Sequence, residues 1–111
     1  MVNEYGAEIG KNGYAPSIMQ SDLSRCYRCG RTTCKLDRHE VFGSSNREKS
    51  KNYGLWVALC HDGCHLGKFG VHYNAEAMKQ LHREGQIAAM EAYGLSKEYF
   101  IKKFGKNYLE D

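Results

Sequence analysis

Three kinds of pattern follow one another along the chain. Residues 1–20 carry Gly6, Gly10, Gly13 and Pro16 with no sustained periodicity, which predicts an irregular N-terminal arm that frays. Leu36 to Phe42 reads as one strand and Leu55 to Leu59, rich in strand formers, as a second, with the turn-forming Gly43-Ser44-Ser45-Asn46 between them. They predict an antiparallel hairpin with a long basic loop. After Gly70 the period lengthens: Asn74 is a good N-cap, Glu76 falls in the first turn, and Met78, Leu81, Gly85, Ala88, Ala89 and Ala92 form a stripe that ends at Gly94. Gly85 inside that stripe predicts a close backbone contact. A second, shorter helix is expected from Ser96, its N-cap, to Phe104, with Phe100, Ile101 and Phe104 apolar and Gly105 as the stop. The expected class is therefore α+β, a hairpin followed by C-terminal helices, with residues 1–20 as the arm and residues 21–111 as one domain.

Composition narrows the class of protein. A chain of 111 residues, 41% hydrophobic and 26% charged, has the makeup of one globular domain and excludes global disorder and collagen-like or mucin-like architectures. The longest apolar run, Leu55 to Cys60, is six residues, far short of the ~20 that span a bilayer. No basic n-region followed by an apolar h-region opens the chain. A cytoplasmic location with no membrane partner is expected, and there an odd set of five cysteines points to metal ligation or reactivity before disulfides.

The charge is unevenly placed. Between Arg25 and Lys51 stand eight cations (Arg25, Arg28, Arg31, Lys35, Arg38, Arg47, Lys49, Lys51) against Asp37, Glu40 and Glu48, a local +5 in a chain of net charge +3, so the remainder sums to −2. A positive field beside the cysteines suits a polyanion, because cations on phosphates gain affinity by counterion release. A solvated basic face is the plainer explanation of the same charges.

Cys26-Tyr27-Arg28-Cys29-Gly30 is a CxxC knuckle, and Cys60-His61-Asp62-Gly63-Cys64 is a second pair with three residues between its thiols. The short spacings let each pair reach one ion, and four thiolates close a tetrahedral structural zinc site that supplements a small core. Cys34 is left over: it is either a free buried thiol or a replacement for Cys64, whose place His61 is also able to take. Further candidate ligands lie outside the thiol set. Asp37 and His39 share one strand face, Arg38 and Glu40 the other, and His65 follows the last cysteine with His72 seven residues on. His61 and His82 read as ordinary surface or core histidines. A divalent cation on imidazoles and a carboxylate, with positions open for water and phosphate, would make a hydrolytic site.

This order of elements resembles the HNH, or ββα-metal, endonucleases with a structural zinc: Cys26 and Cys29, then His39-Glu40, then Leu59-Cys60 and Cys64-His65. A longer pattern, including Val41-Phe42-Gly43, Asn46-Arg47, Ser50, Tyr53-Gly54-Leu55, Gly70-Val71-His72 and the tail Phe104-Gly105-Lys106-Asn107-Tyr108-Leu109, is similar to small phage and prophage proteins related to phage recombination-enhancement nucleases. The resemblance covers roughly residues 17 to 109. It implies a zinc-stapled hairpin-plus-helix fold and a metal-dependent endonuclease that nicks DNA. By it, His39, Glu40, Asn46, His65 and His72 are catalytic candidates, and Asp37, His39, His65 and His72 are candidate ligands of Mg²⁺, Mn²⁺, Ni²⁺ or Zn²⁺. Arg38, Arg47, Lys49 and Lys51 are candidate DNA contacts, and phage or host recombination proteins are implied partners in the host cytoplasm. Two features depart from the family pattern. The second strand histidine is replaced by Glu40, so either His39 is the ligand and Glu40 the base, or His39 is the base and Asp37 the ligand. The middle asparagine is absent at Gly54-Leu55, leaving Asn46 or Asn52. A decayed zinc module that docks on DNA or on a protein is the alternative function.

Overall fold

The computed structural model describes residues 1–109; Glu110 and Asp111, the last two positions of the expected 21–111 domain, lie outside the described residues. Two strands, β1 (Leu36–Glu40) and β2 (Trp56–Cys60), pair antiparallel with His39 opposite Val57 and Asp37 opposite Leu59. Beyond the paired residues, the Val41 amide donates to Leu55 O, and the buried Ser50 hydroxyl both accepts from the Phe42 amide and donates to its carbonyl. The first strand therefore stops at Glu40, two residues short of the expected Phe42, and the Ser50 side chain rather than a strand neighbour satisfies the Phe42 backbone.

The connection between the strands is not a long loop. A 3₁₀ turn, Ser44–Asn46, leads into a helix α1, Arg47–Asn52. Its sequence, Arg-Glu-Lys-Ser-Lys-Asn, has good helix formers but no apolar stripe, since Ser50 is its only buried residue. After β2 comes a π-helical turn, His61–His65, then the helices α2 (Ala75–Tyr93) and α3 (Lys97–Phe104). The expected caps are in place: Asn74 accepts from the Ala77 amide, Ser96 from the Tyr99 amide, and Gly94 and Gly105 are left-handed. An ideal Cβ on Gly85 would stand 2.7 Å from Val41 Cγ1 and 3.2 Å from Phe42 Cζ, so α2 makes a close contact at Gly85, but with side chains just beyond β1 rather than with backbone. Leu55, Val57 and Leu59 of the hairpin pack with Phe42, Leu81, Ala89, Phe100 and Phe104 into one core. No helix is long and apolar enough to cross a membrane among the described residues.

The first twenty residues are irregular but held down, against the expectation of fraying. Ala15 O accepts from Trp56 Nε1 at 2.8 Å, Ser17 Oγ donates to Trp56 O at 2.7 Å, and the Ile18 amide donates to Gly54 O at 2.9 Å. Gln20 Oε1 accepts from the Ala58 amide at 2.9 Å. The free edge of β2 would otherwise bury unpaired backbone groups, and this segment pairs them. Gly54 sets the closeness of the lead-in: its φ is +71°, and a Cβ there would fall 2.2 Å from Pro16 O. Gly54→Ala is expected to cost about 3 kcal/mol, adding a left-handed penalty of about 1–2 kcal/mol to an overpacking term of similar size. Urea melts of the two proteins measure it, and a midpoint unchanged from wild type would contradict the contact.

Candidate functional site

The two knuckles meet at the end of β2. Sulfur atoms of Cys26, Cys29, Cys60 and Cys64 all lie within 4.8 Å of one another, with Cys29 and Cys60 at 3.8 Å. Sulfurs at about 2.3 Å from a tetrahedral ion stand about 3.8 Å apart. The four cysteines could thus hold a metal such as zinc. Backbone amides also face the sulfurs: Cys29 N donates to Cys26 Sγ at 3.5 Å and Cys64 N to Cys60 Sγ at 3.2 Å. Burial pushes the Cys26 thiol up, but amide hydrogen bonds, first that of Cys29, outweigh it and bring the group down to about 6. Cys64 is pushed up by burial and by its sulfur neighbours, the crowding of like charge that a dication relieves. Cys64 fills the fourth place; Cys34 is half-buried outside the group, and His61 turns elsewhere.

A second cluster lies against the hairpin. His39 from β1, His65 from the end of the π-helical turn and His72 from the following loop bring ring nitrogens within 4.8 Å of one another. His65 Nε2 and His72 Nε2 are 3.0 Å apart. His39 is 5% exposed, and its Nε2 is buried without a hydrogen-bond partner. Such orphaned atoms are rare in native proteins. Burial, then the neighbouring imidazoles of His65 and His72, lowers His39 to about 4, so it is neutral and available as a ligand at pH 7. Nitrogens at about 2.1 Å from an ion and at right angles to each other stand about 3.0 Å apart, which is the His65–His72 spacing. The three donors could hold a metal ion.

Asp37 shares the His39 face, as strand alternation required, but stands behind the cluster: its Oδ2 lies 2.5 Å from His61 Nδ1 and 2.9 Å from His65 Nδ1. Glu40 accepts from Arg47 Nε at 2.6 Å and from the Tyr14 hydroxyl at 2.9 Å. Burial pushes Glu40 up, but these two bonds outweigh it and hold the carboxyl below its ordinary range. Glu40 is thus a largely buried carboxylate engaged by Arg47 and Tyr14. Asn46 Nδ2 donates to Phe104 O at 2.8 Å, tying the 3₁₀ turn to α3, and Asn52 O accepts from Asn3 Nδ2 at 2.8 Å.

A cleft of about 700 Å³ opens in front of the histidines, walled by Tyr14, Arg38, Arg47, His82 and Tyr108. Arg38 lies 4.8 Å from the Tyr14 ring centre and 5.5 Å from that of Trp56. Lys49 and Lys51 are not in its walls: Lys49 Nζ donates to Lys103 O at 2.5 Å, and Lys51 sits 5.0 Å over Tyr14. Of the basic candidates, Arg38 and Arg47 are the two beside the cluster.

Comparison with known proteins finds no matching family model, no matching curated protein and no matching solved structure. The chemistry of the site is carried by its own geometry. Two histidines have parts that the sequence does not indicate: His61, an alternative there to Cys64 or an ordinary histidine, bonds Asp37, and His82, an ordinary histidine by sequence, stacks on Phe42 at 5.4 Å and walls the cleft. The position of His61 inside the Cys60–Cys64 turn was the one available signal; for His82 there was none.

Proposed function

We propose that this chain is a metal-dependent phosphodiesterase of the HNH, or ββα-metal, kind, acting on DNA, with zinc on the four thiolates as its structural ion. The observation that carries this reading is the buried, unpartnered His39 Nε2 converging with His65 and His72 in an open cleft beside Arg38 and Arg47. A divalent cation bound there supplies Lewis acidity toward a phosphodiester and lowers the pKa of water. Three imidazoles favour Zn²⁺ or Ni²⁺ over the oxygen-seeking Mg²⁺. Arg38 and Arg47 would take the flanking phosphates, and Tyr14 and Tyr108 would narrow the approach of the strand. Glu40, bound to Arg47 and Tyr14, fits a role in placing Arg47 better than a role as base. That same engagement favours the second reading, a DNA-docking zinc module without activity.

Supercoiled plasmid incubated with the protein and Mg²⁺, Mn²⁺, Ni²⁺ or Zn²⁺ separates the two. Nicked circles with at least one ion are expected, and bound but intact plasmid with all four would leave the docking module. Binding itself is expected to weaken steeply with salt. Each phosphate contact contributes about −0.9 to the logarithmic slope, so Arg38→Ala with Arg47→Ala should flatten it by roughly 2. Filter binding across a salt series reads this, and an affinity indifferent to salt would count against a nucleic-acid partner.

A further inference from the structure

We propose that Asp37 is a positioning residue for the three-histidine site, holding His65 in the tautomer and ring orientation that its place in the cluster requires, and that His61 braces Asp37 from the thiolate turn. The proposal rests on the reading of the histidine cluster as a cation site.

The argument begins with hydrogen-bond inventory. An ionised carboxylate has only acceptors, so a ring nitrogen facing it must carry a hydrogen. Asp37 Oδ2 faces two such nitrogens, His65 Nδ1 at 2.9 Å and His61 Nδ1 at 2.5 Å. A neutral imidazole has one N–H, and Asp37 draws that of His65 to Nδ1. The lone pair is then on Nε2, the atom 3.0 Å from His72 Nε2. In the other tautomer an N–H would point into the cluster while two lone pairs faced each other at Asp37. A carboxylate behind a ligating histidine fixes the ring in this way and raises its basicity.

His61 answers what holds Asp37. The side chain of Asp37 has one-fifth of its surface exposed, and a single bond to His65 would leave it free to turn toward water. His61 and His65 are the first and last residues of the π-helical turn, each next to a zinc-site cysteine, Cys60 and Cys64. One oxygen on β1 therefore clamps both ends of the turn, and the thiolate cluster and the histidine cluster are set in register through it. Asp37 is not itself one of the grouped donors: the ligand atoms that lie within 4.8 Å of one another are those of His39, His65 and His72.

The test uses the full chain with zinc on its thiolates and Co²⁺ as the probe, followed by calorimetry and visible absorption. Asp37→Ala is expected to weaken Co²⁺ binding 10- to 100-fold with zinc content unchanged. Asp37→Asn, which keeps one acceptor oxygen, should lose less, and His61→Ala should lose severalfold. Long-range ¹H–¹⁵N spectra of the zinc-loaded wild type should show His65 as the Nδ1–H tautomer, shifting toward Nε2–H in Asp37→Ala. Wild-type uptake of Co²⁺ with equal uptake by Asp37→Ala, or an Nε2–H His65 in the wild type, would overturn the Asp37 assignment. Unchanged affinity in His61→Ala would overturn the brace. Should Asp37→Ala fail to fold, Asp37→Asn and the wild-type tautomer decide. A wild type that takes up no Co²⁺ beyond the thiolates would overturn the underlying cation reading instead.

Discussion

Cys60→Ser should leave this chain unfolded at room temperature, and Cys29→Ser should do the same. Cys60 is buried at the last residue of β2, and its sulfur stands 3.8 Å from that of Cys29 on the other knuckle. An ion shared between them would join the segment around residue 26 to the hairpin and the turn that follows. Structural zinc contributes about 10–16 kcal/mol of apparent binding free energy in small modules, as much as or more than the total stability of about 5–15 kcal/mol for a typical domain. A weakened three-thiolate site therefore removes most of what holds the fold. Cys34→Ser is the control, since Cys34 lies outside the four-sulfur group, and it should keep both fold and zinc. Elemental analysis and circular dichroism together check the set. Wild-type protein that is folded and free of zinc would refute the structural ion.

His65→Ala should remove metal-dependent nicking, by about 10³-fold or more, while one zinc per chain remains. The expectation follows from geometry: His65 Nε2 is 3.0 Å from His72 Nε2, while His65 Nδ1 reaches Asp37, so the ring has no part in the thiolate cluster. His39→Ala should be as damaging to activity and also less stable, because the ring it removes is 5% exposed and leaves a cavity worth about 1–3 kcal/mol. Glu40→Gln separates the two roles left open by the strand sequence. A base lost outright lowers rates by roughly 10²–10⁴-fold. With Glu40 already bonded to Arg47 and Tyr14, a loss below tenfold is expected, and it should act through Arg47. Single-turnover nicking with each variant gives the answer. A His65→Ala variant that cuts at the wild-type rate would remove the histidine cluster from the chemistry.

Much of the local structure was legible along the chain because it depends on neighbours in sequence. The caps at Asn74 and Ser96 and the left-handed stops at Gly94 and Gly105 are decided within a turn of helix. The Gly85 contact was legible for a related reason, since a residue without a side chain in an apolar stripe has a packing cause. The two cysteine pairs were legible because ligand spacing is itself short-range. Helix α1 was missed since helices are read from an apolar stripe, and Arg47–Asn52 buries only Ser50. The role of residues 1–20 was missed for the opposite reason: their hydrogen bonds go to β2, some forty residues away, for instance from Trp56 Nε1 to Ala15 O. At the candidate site, residue types were visible in sequence, but roles were not. Asp37, His39 and Glu40 are near neighbours on one strand, yet Asp37 meets the turn after β2, His39 meets the histidines, and Glu40 meets Arg47 and Tyr14. A strand sends alternate side chains to opposite faces, and the partners waiting on each face are placed there only by the pairing of β1 with β2 and the packing of the segments around them.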